Sequence, residues 1–358
     1  MGLRQEKNRG ILLGLASGDA LGRAVDPRTL EEIRSDYGPN GLLGYDLVNG
    51  YADITSYSQL AAFTANGLLL GLTRGQAQGR HSILMRYITA AIREWNRTQT
   101  FSLPAKNYCW VAGVPELRRK FCMDNRMLDA LSKETLGSLE EPQYRSRQPG
   151  SLTAVIPIAM LHQDLELNQD ELDRLAAETV ALTHGEPEAY LAGAALNHLL
   201  CLLLQEPDAP MEDLVRRTID AVGLQFGQGG NLWELLQFAL TQATLSSISG
   251  MNAMETLGCR TAGEVLAGAV YAVASCEDDF DNALITAVNH SGRSSAVGAI
   301  AGAMLGAKLG IEALPEFYLD GLEAATSLME LADDMAYGFS EMVGKSLFDM
   351  EWERKYLS

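Results

Sequence analysis

Along this chain apolar residues recur at intervals of three and four, the spacing of helices, and no alternating run flanks a two-residue turn. The pattern predicts helices over Arg9–Leu21, Ser58–Leu72, His81–Trp95, Ser151–Leu161, Asn168–Leu182, Glu188–Leu204, Met211–Val222, Asn231–Ala243, Thr261–Ala274, Asp279–Val288, Ala296–Leu309 and Leu314–Met329. Thr261 and Glu264 have capping-box spacing, Asp279 can cap the helix after it, and Pro157 should kink or break its own. The expectation is an all-α fold: one compact multi-helix domain over residues 1–358. An irregular insertion or lid near 96–150 carries Pro104, Pro115, Pro142, Pro149 and the basic run Arg118-Arg119-Lys120.

Two segments break the rule that helix interiors avoid glycine. Gly10, Gly14, Gly18 and Gly22 share the four-residue spacing of Gly298, Gly302, Gly306 and Gly310. Residues four apart lie side by side on a helix, so each ladder bares one face and implies close backbone approach.

Composition narrows the partners. The 358 residues are 47% hydrophobic, as expected of a globular chain, with a formal net charge of −18. That field disfavours nucleic acid and acidic membranes, so an anionic ligand needs a local cationic site. The five cysteines (Cys109, Cys122, Cys201, Cys259, Cys276) form no Cys-x-x-Cys pair, which suits buried thiols in a cytoplasmic protein. The most apolar run, Ala296–Leu309, contains Lys308 and is too short to span a bilayer.

Three segments carry a resemblance. They are Gly10-x3-Gly14-Leu15-Ala16-Ser17-Gly18-Asp19-Ala20-Leu21-Gly22, then Thr183-His184-Gly185-Glu186-Pro187, and Asn289-His290-Ser291-Gly292 followed by Gly298-Ala299-Ile300-Ala301-Gly302. In this order they resemble the ADP-ribosylglycohydrolase family (dinitrogenase-reductase-activating glycohydrolase-like). The resemblance implies an all-α fold with a central cleft holding two magnesium or manganese ions. It also implies hydrolysis of ADP-ribosyl bonds at C1 of the distal ribose.

The family's Thr-Asp-Asp-Thr run falls on Thr55-Ser56-Tyr57-Ser58, and its Gly-Asp-Ser/Thr-Asp run on Gly292-Arg293-Ser294-Ser295. All four aspartates are missing. Hard divalent cations want carboxylate oxygen. A unit like charge about 4 Å away costs about 4 kcal/mol at an effective dielectric of about 20, and a dication about twice that. No metal and no cofactor are expected. Asp26 stands at the family's acidic position after the first ladder, and Asp53 reads as a turn or N-cap residue.

The candidate catalytic residues are Asp19 and Asp26, with a structural hydrogen-bond acceptor orienting the two ligand loops as the other reading of Asp19. The candidate cleft comprises Thr55, Ser56, Tyr57, Ser58, Asn289, His290, Gly292, Arg293, Ser294 and Ser295. Arg293 either holds a phosphate or carboxylate or pairs with Asp19 or Asp26. Tyr57 either plugs the cavity or stacks on a ligand. His184 is a base or a satisfied buried histidine, and Tyr108 and Trp110 line a lid or sit in the core. Three functions remain: a homologue without metal-dependent hydrolysis that binds an ADP-ribose-like or other anionic ligand or a protein partner; a hydrolase with altered or single-metal chemistry; and a non-catalytic structural or interaction protein.

Overall fold

The computed structural model describes residues 2–74, 80–100, 107–122, 124–227, 230–245, 250–276, 279–343 and 350–357, with side chains of 338–343 left aside. It is an all-α domain with no β-strand among the described residues, only isolated bridges at Val48–Tyr51 and Ala52–Leu322. The helices are α1 (Leu3–Arg23), α2 (Leu30–Tyr37), α3 (Ser56–Thr73), α4 (His81–Gln99), α5 (Asn125–Ser132) and α6 (Ile156–Met160). Next come α7 (Gln169–Ala181), α8 (Pro187–Gln205), α9 (Met211–Phe226), α10 (Asn231–Ala243), α11 (Gly250–Leu257) and α12 (Ala262–Ser275). The chain closes with α13 (Phe280–Val288), α14 (Ser294–Leu309), α15 (Glu316–Leu319), α16 (Ala325–Val343) and α17 (Met350–Tyr356).

The two glycine ladders meet each other. Helices α1 and α14 run antiparallel with Gly10 against Gly306, Gly14 against Gly302, Gly18 against Gly298, and Gly22 against Ser294. A Cβ on Gly10 would stand 2.8 Å from the Gly306 carbonyl oxygen, and the inner pairs are tighter still. Gly310 serves another purpose. At φ 82° and ψ −179° it ends α14 in an extended conformation with positive φ that favours glycine, its N–H donating to Gly306 O at 2.9 Å. Every residue of α14 from Ser294 to Lys308 is buried.

Capping fixes several helix starts as their sequences indicate. Thr261 and Glu264 form the predicted box, as do Thr29 with Glu32 and Asn168 with Glu171, and Asp279 accepts from Asn282 N–H at 3.0 Å. The Ser151–Leu161 segment is a 3-10 turn (Leu152–Val155) running into α6, with Pro157 in the first helical turn, where it displaces no hydrogen bond.

Other expectations need correction. Leu314–Met329 is not one helix. Left-handed Gly321 (φ 76°) and Ala324 (φ 58°) separate α15 from α16, which runs on to Val343. Helices α2, α5, α11 and α17 have eight residues or fewer, too short to show a convincing period. Near 96–150, α4 extends to Gln99. Two 3-10 turns (Trp110–Gly113, Glu116–Arg118) and α5 follow, the rest being irregular, while Pro104 lies outside the described residues. Helix α14 is too short to cross a membrane, as its sequence indicates, and α8 is the one helix among the described residues long and apolar enough to do so. Of its most apolar window, 78% is buried in the protein. All five cysteines are free thiols.

Candidate functional site

A cleft of about 890 Å³ opens where α1 ends and α14 begins. Arg23, Asp26, Arg293 and Ser295 form its floor, and Thr55, Ser56 and Tyr57 one edge. The opposite walls come from 120–122, 124–127 and from Tyr144 with 148–150. The contact of Gly22 with Ser294 sets the floor: it brings the residue after Gly22 and the residue before Ser294 to the same place.

Asp19 lies beneath the Thr55–Ser58 edge and is fully buried. Its carboxylate accepts from Thr55 N–H (2.8 Å), Thr55 Oγ1 (2.7 Å), Ser58 N–H (3.1 Å) and Ser58 Oγ (2.6 Å). Burial pushes its carboxyl up to about 6, against the opposing pull of the Ser58 and Thr55 hydrogen bonds. Asp19 therefore caps and anchors the start of α3, and it does not line the cleft.

Asp26 does line it. Its side chain stands 4.0 Å from Arg293 Nη1 and accepts from Ser295 N–H at 3.4 Å. Burial pushes this carboxyl above its ordinary value, opposed by Arg293 and the Ser295 N–H. Arg293 donates one side-chain hydrogen bond, from Nη2 to Gln148 Oε1 at 3.3 Å. Its backbone N–H is fixed by Cys259 O at 2.7 Å. Arg293 thus faces Asp26 and not Asp19. Tyr57 is half-buried in the edge, and burial drives its phenol far above the ordinary range.

Several expected cleft residues lie behind the floor. Asn289 is buried and pins Leu42, accepting its N–H at 2.8 Å and donating to its carbonyl at 2.9 Å. His290 is buried between the Gly292 N–H and Ala287 O, each at 2.9 Å, and burial lowers it to about 4, so it stays neutral. Ser294 Oγ turns back to His290 O at 3.3 Å. Gly292 carries no side chain because Cys259 Cβ and Gly258 O leave no room for one. With Ser58 committed to Asp19, the cleft keeps Thr55, Ser56, Tyr57, Arg293 and Ser295 of the expected set.

Asp53 is neither an N-cap nor a free turn residue. It receives Arg119 Nη1 at 3.0 Å and faces Arg23 Nη2 at 3.9 Å, while Thr55 caps α3. Tyr108 stacks on Tyr87, and Trp110 donates to Tyr356 Oη at 3.0 Å, so neither lines a lid.

The wall contributes residues that periodicity does not reveal. Glu94 accepts the Tyr108 and Cys109 N–H groups, both at 2.6 Å. Gln99 Oε1 takes the Phe121 and Cys122 N–H groups at 2.9 and 3.1 Å, while Gln59 Nε2 donates to Arg119 O at 2.9 Å. These clamps on α3 and α4 carry Lys120, Phe121 and Cys122 to the cleft, with Arg23 lying 5.0 Å over the Phe121 ring. The run 118–120 is basic in sequence, but only the fold shows which of its members turns inward.

Asp124 caps α5, accepting from Arg126 and Met127 N–H at 3.0 and 3.1 Å. Burial opposes its charge, yet His184 and those N–H groups outweigh it and hold the carboxyl below its ordinary value. His184 is buried, with Nδ1 2.9 Å from Ser151 Oγ and 2.8 Å from Thr183 Oγ1. Its Nε2 has no hydrogen-bond partner and stands 3.7 Å from Asp124. Among the described residues, the lining holds Arg23, Lys120, Arg126 and Arg293 against Asp26 and Asp124. That is a net excess of two positive charges in a chain of −18. No group of three or more His, Cys, Asp or Glu side chains among the described residues is placed to hold a metal ion.

A family model described as ADP-ribosylglycohydrolase matches residues 2–344. An uncharacterised protein of Archaeoglobus fulgidus is 28% identical over 338 residues, covering 92% of this chain and 95% of that one. A probable farnesyl diphosphate synthase of Sinorhizobium fredii is 32% identical over 134 residues, covering 37% and 39%. A solved structure described as an ADP-ribosylglycohydrolase-related protein complex superposes with a TM-score of 0.60 at 21% identity, over 94% of this chain and 99% of the other.

Proposed function

This chain belongs to the ADP-ribosylglycohydrolase family, and we propose that it binds an ADP-ribose-like or other anionic ligand in the cleft without the family's two-metal hydrolysis. One observation carries this reading: a guanidinium, Arg293, stands in the loop where the family's ligand aspartates are expected. The donors available there are Asp26, Thr55, Ser56 and Ser295, a set that does not fit a pair of hard dications. Of the other carboxylates, Asp124 on the opposite wall caps α5, and Asp53 is already paired with Arg119 and Arg23. The cationic lining supplies the attraction for an anion that the overall charge would otherwise repel.

Thermal unfolding tests the reading, because specific binding raises the melting temperature by mass action. ADP-ribose or ADP should raise it with no metal present, and millimolar magnesium or manganese alone should leave it unchanged. A metal-induced rise of several degrees, or metal-dependent release of ADP-ribose from a modified peptide, would overturn the proposal.

One feature favours a second reading, a metal-free hydrolase. Asp26 and Asp124 share the cleft, one pushed above and the other held below the ordinary carboxylate value, the separation expected of an acid and base pair. Under it, turnover of an ADP-ribosylated peptide in EDTA would be detectable and Asp26→Asn would reduce it at least ~100-fold. Absence of turnover across arginine- and serine-linked substrates sinks this second reading.

A further inference from the structure

We infer that Arg293 forms a subsite for a phosphate monoester or carboxylate at the deep end of the ligand, so that the preferred ligand is an acidic sugar compound rather than one ending in a neutral ribose. This rests on the cleft being a ligand site, as proposed above. The Arg293 geometry supplies the argument. An arginine placed to neutralise Asp26 would close to about 2.7–2.9 Å in a two-pronged pair. Arg293 stands 4.0 Å away, beyond hydrogen-bond range, and its guanidinium makes only the 3.3 Å contact with Gln148. Most of its five donors are unspent, and the side chain is 42% exposed to the cleft.

The surroundings favour an anion at that point. Arg126 lines the same cleft and its guanidinium has no protein partner among the described residues. The Arg23 Nε is buried without a hydrogen-bond partner, although its terminal nitrogen faces Asp53. Arg293 immediately precedes the sixteen-residue α14, whose N-terminal end adds positive potential. Asp26 is the opposing charge. Burial pushes its carboxyl above the ordinary value, opposed first by Arg293.

The planar fork of arginine matches carboxylate and phosphate alike. The test therefore measures ribose 5-phosphate against ribose, and glucuronate against glucose, by titration calorimetry in EDTA. The wild type should bind at least one acidic sugar ten or more times tighter than its neutral partner. Arg293→Gln should reduce that preference below threefold. Asp26→Asn should strengthen acidic-sugar binding several-fold, a gain that a folding defect cannot mimic. Equal binding of acidic and neutral sugars, or a preference unchanged in Arg293→Gln, overturns the inference.

ADP-ribose, titrated in parallel, separates this inference from the reading beneath it. Acid preference dependent on Arg293 with no ADP-ribose binding supports the subsite and sinks the ADP-ribose reading. ADP-ribose binding that Arg293→Gln leaves unchanged, with no acid preference, sinks the subsite alone.

Discussion

Gly302→Ala should destabilise the protein by about 3 kcal/mol or more, at the upper end of what overpacking costs. Gly302 faces the Gly14 backbone so closely that an added Cβ would fall inside the carbonyl oxygen's van der Waals shell. The obstacle is main chain on a buried helix, so no side-chain rotation relieves it. Gly18→Ala meets the same obstacle at Gly298 and should cost as much. Gly113→Ala is the control: nothing stands within 4 Å of its Cβ position, and the change should stay within about 0.5 kcal/mol. Urea unfolding of the three variants decides the matter. A Gly302→Ala protein as stable as the control would mean that the two helices do not touch through their backbones.

The ladders show what the sequence carried. Glycine at every fourth position can only be explained by a close neighbour, and there were two such helices to pair. The fold class and most long helices followed from periodicity for the same reason: a buried face repeats. The cleft was harder to read. Thr55–Tyr57, Arg293, Ser295 and Asp26 were visible because the motif patterns of the resembled family fall on them. Asn289, His290 and Ser294 share one of those patterns but turn into the packing behind the floor, and spacing along a loop does not say which side faces solvent. Phe121 and Cys122 reach the cleft through clamps from Gln99, with Gln59 holding Arg119 beside them, and Gln148 is met there by Arg293. Those partners lie tens of residues away, so no local signal marks them.

The second large effect is expected at Asp19. Asp19→Ala removes the acceptor for two backbone N–H groups and two hydroxyls at the start of α3, all in a buried setting. Stranded donors of this kind cost about 1–3 kcal/mol each when nothing replaces the partner. Allowing for relaxation of the hydroxyls, a total loss of about 3–4 kcal/mol at neutral pH is expected.

The pH dependence has a definite sign. The carboxyl is at about 6 in the folded protein against an ordinary 3.8, so between those values the native state holds a proton that the unfolded chain has released. Stability contributed at this site is therefore greatest below about 3.8 and falls by about 3 kcal/mol as pH rises through 6, then stays level. Asp19→Asn removes that titration. Wild-type stability minus that of Asp19→Asn should consequently rise as pH drops from 7 to 4, read from unfolding midpoints in matched buffers. A difference that falls over that range would show that Asp19 is charged throughout in the native state.

The meeting of α1 with α14 also decides how the cleft can respond to what enters it. Arg23 and Asp26 follow one end of that contact, and Arg293 and Ser295 begin the other, so the floor cannot spread or narrow without parting two helices locked at the main chain. Amide hydrogens along both ladders should exchange only through global unfolding, whether or not a ligand is present. Accommodation then falls to the walls at 120–122, 124–127 and 144–150, which lie outside the two glycine ladders. A ligand's deep end meets a rigid gauge that accepts or rejects by shape and charge, while its outer end meets surfaces able to adjust. Related ligands should differ little in tolerance at the outer end and sharply at the inner one.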